Sequence, residues 1–131
     1  MKIVVDTNVL VRAVVRDDAK QANIAAKLLT DADLVVVALP CLCEFVWVLR
    51  RVYGFTPADV AGAIRALLDA AKTETHRPAA EAGLAVLEAG GDFADGVIAF
   101  DGQWLGGETF VSFDKKAVIL LTAQGQSARL L

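Results

Sequence analysis

Five acidic residues lie where apolar segments of this sequence end or are interrupted. Asp6 closes KIVV and is followed by Thr7 and Asn8; Glu44 sits inside CLCEFVWVLRR; Asp92 and Asp95 belong to GGDFADGVIAF; Asp114 ends ETFVSFD, with Ser112 two residues earlier on the same side of that segment. A lone carboxylate is costly to bury. Several of them emerging from separate apolar elements, with no His or Cys at matching places, describe an all-oxygen site for a hard divalent cation such as Mg²⁺, or Mn²⁺ in its place. Asp6, Glu44, Asp95 and Asp114 are the candidate ligands and catalytic acids. Zinc is disfavoured, because His76 in the hydrophilic TETHRP stretch is the only histidine and Cys41 and Cys43 supply two ligands at most. Two cysteines two residues apart are no disulfide framework either, and they read as packing thiols.

Each acid also has a structural reading. Asp6 is equally a helix N-cap, and so is Asp114 before a helix beginning at Lys115. Glu44, one turn into a helix with little polar face, is expected in the site; the alternative is an exposed stripe above Arg50 or Arg51. Asp92 and Asp95 are spaced as a capping box or as two carboxylates on one side of a helix start. Asp92 is assigned mainly to the cap with a supporting role, Asp95 mainly to the site.

The elements that must position these groups alternate. Lys2 to Val5 reads as a buried strand, TNVLVRAVVR as a helix, and Asp17-Asp18 as the start of a second helix that gives way to the β-branched strand from Leu34. Pro40 suits the first turn of a helix running to Gly54; Thr56-Pro57 starts another ending near Lys72. Helices follow at Arg77-Pro78 and at Asp92, then a strand from Thr109 to Phe113. This order predicts an α/β fold with a central, mainly parallel sheet flanked by helices on both faces. In such sheets ligands bind beyond the carboxyl ends of the strands, where Asp6 and Asp114 fall.

At 131 residues the chain fits one domain, residues 1–131, and 56% hydrophobic residues exclude disorder. The net charge of −3 gives no global signal for a polyanion. The longest apolar stretch, Leu34 to Leu49, is broken by Pro40 and Glu44 and falls short of the roughly 20 residues a bilayer helix needs, so no membrane contact is expected. The opening MKIVVDTN lacks the pattern of a secretory signal, which places the chain in the cytoplasm.

VVDTNVLVR, the helical Glu of PCLCEFVWVL, GGDFADGVIA and FVSFDKKA together resemble the PIN-domain ribonucleases, and most of all the VapC toxins of type II toxin-antitoxin pairs. The resemblance spans nearly the whole chain. It departs from the family pattern at Gly96, where Ala is usual, and at Ser112, where Thr is usual. It implies a PIN-like fold and Mg²⁺-dependent cleavage of RNA phosphodiesters by activated water, leaving 5′-phosphate and 3′-hydroxyl ends. It assigns Asp6, Glu44, Asp95 and Asp114 to the metal and the catalysis, Asp92 to an auxiliary role, and Thr7, Asn8 and Ser112 to polar support. A homodimer and a cognate VapB-like antitoxin covering an apolar groove are implied as well.

Arg12, Lys115 and Lys116 are candidate contacts to RNA phosphates, whereas Arg16 reads as surface charge. The helices around Phe45 to Tyr53 and Val60 to Leu68 hold more apolar residues than one buried face needs. Cys41, Phe45 and Trp47 need no role beyond packing, with Trp47, Tyr53 and Phe55 alternatively as partner anchors. Two rivals stand beside the nuclease. A phosphatase of the haloacid dehalogenase type also puts an Asp after its first strand, but needs a second Asp where this chain has Asn8. A catalytically silent PIN-like binding module would act through RNA or antitoxin contacts alone.

Overall fold

Lys2–Val4 (β1) pairs in parallel with Leu34–Val36 (β2), Lys2 lying opposite Leu34 and Val4 opposite Val36, and β2 pairs in parallel with Thr73–Glu74 (β3). Between β1 and β2 come the helices Thr7–Val15 (α1) and Ala19–Asp31 (α2); between β2 and β3 come Leu39–Arg51 (α3) and Pro57–Asp69 (α4). Parallel neighbours need such crossovers, because a two-residue turn cannot return the chain to the same end of the sheet. These elements make up the first of two compact units, Met1–Arg77, in a computed structural model that describes residues 1–131. The second unit, Pro78–Leu131, contains nearly all of Arg77–Glu88 (α5), then Phe93–Trp104 (α6), Phe110–Ser112 (β4), Lys115–Ala123 (α7) and Ala128–Leu130 (β5). Its two strands also pair in parallel, Phe110 opposite Ala128 and Ser112 opposite Leu130.

The helix starts follow local chemistry. Asp18 accepts the Gln21 N–H at 3.0 Å and Thr56 accepts the Asp59 N–H at 3.1 Å, each satisfying a donor that the first turn leaves without a partner. Pro40 and Pro57 occupy first-turn positions, where the missing N–H costs nothing. In α3 the buried residues are Leu42, Phe45, Val46 and Leu49, and in α4 Val60, Ala61, Ile64 and Leu68, one face of each helix. The core of the first unit is completed by Leu10 and Val11 of α1, Val35 of β2 and the small Ala22 and Ala25, which let α2 approach closely. In the second unit Val86, Ala99 and Leu121 form a buried cluster against which Phe110, Leu120 and Ala128 pack.

The α/β class and the parallel pairing agree with the sequence reading, while several details differ. β1 is not buried: it is an edge strand of its ladder, and Val4 is 74% exposed, so only Val5 beyond it enters the core. β3 and β5 have no clear sequence signal. β3 is two residues long and exists because Val35 and Val37 donate their N–H groups to the carbonyls of Lys72 and Glu74. The apolar residues at 60, 61, 64 and 68 of α4 are used by the core, while Ala63, Ala66 and Leu67 stay outside it and line an open groove, so α4 keeps apolar surface beyond its buried face. No helix is long and apolar enough to cross a membrane.

Candidate functional site

In the first unit Asp6 is the N-cap of α1, its Oδ1 accepting the Thr7 N–H at 2.8 Å. Thr7 is the one buried polar residue of the chain, and its hydroxyl hydrogen-bonds the thiol of Cys41. Burial pushes the Cys41 thiol up. The Thr7 hydroxyl works the other way, but the negative charges of Asp6 and Glu44 add to the rise. One thiol thus feels both carboxylates: Asp6 from the start of α1, and Glu44 from one turn along α3. Neither acid has an ion-pair partner. Asn8 lies exposed in the first turn of α1.

Glu44 is not buried among the apolar side chains of α3. It lies on the solvent face, where the sequence alternative of an exposed stripe puts it, because Leu42, Phe45, Val46 and Leu49 take the opposite side of the helix. Trp47 does not pack inside either; it is 58% exposed. Phe45 and the two half-buried thiols Cys41 and Cys43, neither of them in a disulfide, do agree with a packing role.

In the second unit Asp92 caps α6 by accepting the Ala94 N–H at 3.2 Å, and Asp114 caps α7 by accepting the Ala117 N–H at 3.1 Å. Ser112, at the end of β4, accepts the Asp114 N–H through its Oγ at 2.9 Å and so fixes where that carboxylate leaves the strand. Asp95 projects from the first turn of α6 and is half-buried. Burial first, then the like charges of Asp92 and Asp114, hold its carboxyl above the usual carboxylate range. No basic side chain pairs with any of these three.

Capping and chemistry are not exclusive at these positions. Asp6, Asp92 and Asp114 each commit Oδ1 to a backbone N–H and leave Oδ2 without a protein partner. The donor chemistry fits a hard divalent cation: carboxylate and hydroxyl oxygens, with like charges close enough at Asp95 to make the anionic state costly. Within neither unit, however, do three His, Cys, Asp or Glu side chains group as a metal ion requires.

Of the basic candidates, Arg12 is paired with Asp17 at 3.1 Å, so part of its charge is already answered; Arg16 donates to Asn23, as a surface residue would. Lys115 and Lys116 stand exposed in the first turn of α7, directly after Asp114. Positive charge there opposes the helix dipole. Gly96, a departure from the usual Ala, also has a structural cause: it is buried where α6 crosses α5, and a Cβ would strike the Ala82 carbonyl oxygen and come within 2.8 Å of the Gly83 Cα. Nothing in the local sequence around Gly96 signals that close approach.

Residues 3–119 match the PIN domain family, a match that spans most of the chain and residues of both units. PIN domains are in general nucleases that act on nucleic acid, typically with divalent metals. No curated protein matches the chain.

Proposed function

The chain belongs to the PIN domain family, and from that membership we propose that it is a Mg²⁺-dependent endoribonuclease, the toxin of a type II toxin-antitoxin pair, held inactive by a VapB-like antitoxin. The observation that carries the catalytic half of this reading is the crowding at Asp95. A half-buried carboxylate beside two others, with no basic side chain to compensate them, is an unfavourable arrangement that a cation relieves. Asp6, Glu44, Asp95 and Asp114 are the acids assigned to the metal and the reaction. When bound, Mg²⁺ would neutralise charge developing on the phosphoryl oxygens and make the attacking water more acidic.

The chain's own groups do the rest. The helix-start hydrogen bonds of Asp6 and Asp114 hold each carboxylate in one orientation, so no reorganisation is needed as the phosphoryl charge grows. An acid not engaged with the cation accepts a proton from the attacking water. Asp92 and Ser112 fix the starts of α6 and α7, and Thr7 and Asn8 serve the same end at α1. Lys115 and Lys116 meet RNA phosphates, which explains two cations at a helix start where they weaken the helix; Arg12 joins them by giving up its pair with Asp17.

For the antitoxin, the first unit offers an apolar groove of about 390 Å³ lined by Leu10, Val14, Leu29, Phe45, Leu67 and Ala70 among others, suited to the apolar side of a partner segment. A second reading, a catalytically silent PIN-like binding module, draws on the fact that neither unit groups three metal ligands by itself.

Cleavage of a labelled RNA pool by antitoxin-free protein, with Mg²⁺, Mn²⁺ or EDTA and beside Asp6→Asn, separates the two. Metal-dependent cutting that disappears in Asp6→Asn is expected; folded, metal-supplied protein that cuts no RNA would establish the silent module instead.

A further inference from the structure

The outward face of α3 carries four residues in one line, Pro40, Glu44, Trp47 and Arg51, spaced by four, three and four, the repeat that keeps side chains above one another on a helix. All four are exposed, while Leu42, Phe45, Val46 and Leu49 bury the opposite side. Trp47 at 58% exposure is expensive to leave in water, and nothing in the protein pairs with its indole N–H. Arg51, one turn further, has no carboxylate or carbonyl partner, in contrast to Arg50, which donates to the Phe55 carbonyl at 2.8 Å. An acid assigned to catalysis, a bare aromatic ring and an unpaired guanidinium therefore follow one another at single-turn intervals.

We infer that Trp47 is a stacking platform for a base of single-stranded RNA next to the scissile phosphate, with Arg51 holding the phosphate one step further along the strand. The inference rests on the nuclease reading of Glu44. A flat apolar face takes the π surface of any base, and a cation one helical turn away matches the charge of the following phosphate. A protein partner would seek an apolar strip of several residues. This line has one aromatic residue set between an acid and a base, a pattern that suits a polyanion with exposed bases. Because stacking engages the substrate before and during the reaction alike, Trp47 acts on substrate binding, and its removal raises KM with little change in kcat.

The test uses the full chain carrying Trp104→Phe, so that Trp47 is the only tryptophan. In EDTA, a ten-nucleotide single-stranded RNA of mixed sequence is expected to quench Trp47 fluorescence, and the same sequence as a duplex, its base faces covered, is expected not to. By direct binding to labelled RNA, Trp47→Ala should weaken affinity about 5- to 150-fold, Trp47→Phe should recover most of it, and Arg51→Gln should lower the log–log salt slope by about 0.7. Circular dichroism checks that the variants fold, as expected for surface positions. Unchanged RNA affinity and KM in Trp47→Ala overturn the inference even if the protein cleaves RNA. So does quenching by an antitoxin peptide with none by RNA. Quenching in a protein that never cleaves RNA would sink the nuclease reading, and with it the placing of the base beside a scissile phosphate, while keeping RNA stacking on Trp47.

Discussion

Asp95 shows most directly how a single residue can be set against the stability of its own fold. Its folded-state carboxyl titrates above the ordinary value because of burial and the charges of Asp92 and Asp114. For an acid shifted in that direction the penalty is absent at a pH where the group is protonated in both states, and fully developed above the folded pKa. Metal-free protein should therefore gain thermal stability as pH falls from neutral toward the upper end of the Asp range. Asp95→Asn should show a higher melting temperature than wild type at neutral pH while losing cleavage. A melting temperature unchanged in Asp95→Asn would mean that the three carboxylates do not repel one another in solution. Cys41 reports on the other acids in the same way. With its thiol held up by burial and by Asp6 and Glu44, it should be alkylated slowly at neutral pH in a Cys43→Ser background, and faster once Mg²⁺ or Glu44→Gln removes negative charge beside it. An alkylation rate indifferent to both would separate Cys41 from those carboxylates.

Among the helices, three starts are capped by acids that are also proposed for the chemistry, and substitutions can pull the two roles apart. Asn caps a helix about as well as Asp but carries no charge. Asp6→Asn and Asp114→Asn should thus keep their melting temperatures while activity falls, whereas Asp114→Ala should lose activity and about 1 kcal/mol of stability as well. Asp18→Ala, at a cap outside the site, should cost a similar amount of stability and leave cleavage intact. Helix crossing gives a further prediction. Gly96 lies against the backbone of α5 at Ala82 and Gly83, and Gly83 in turn meets the ring of Phe93, 2.7 Å from where its own Cβ would be. Gly96→Ala has no flexible side chain to displace and should destabilise by about 1–3 kcal/mol, measured by denaturant unfolding; a neutral result would show that α5 and α6 do not cross so closely in solution.

For the molecule as a whole, a net charge of −3 means that any attraction for RNA comes from a few local cations acting against the average field. Affinity for RNA should fall steeply with salt, and Lys115→Gln with Lys116→Gln should flatten that dependence by about 1.4 in log–log slope, about 0.7 for each single-strand phosphate that is no longer neutralised. Salt-independent binding would remove these lysines from the interface.

The acidic residues, the helix starts and the α/β order were legible before any packing was known, because each is written in local chemistry. A carboxylate after an apolar run, a Thr-Pro or an Asp before a helical repeat, and a β-branched triplet are readable within a few residues. Asp18, Thr56, Asp92 and Asp114 cap their helices as their neighbours suggest. Which faces the helices turn inward, and which short segments become strands, depends instead on packing between distant parts of the chain. Glu44 and Trp47 sit in an almost uniformly apolar segment, so periodicity could not tell their face from the buried one until α3 met its neighbours. β3 and β5 are strands only because β2 and β4 supply hydrogen-bond partners from far along the chain. Gly96 needs no side chain for the same reason: the atoms that exclude one belong to another helix, and the meeting of residues distant in sequence is settled by packing, not by local composition.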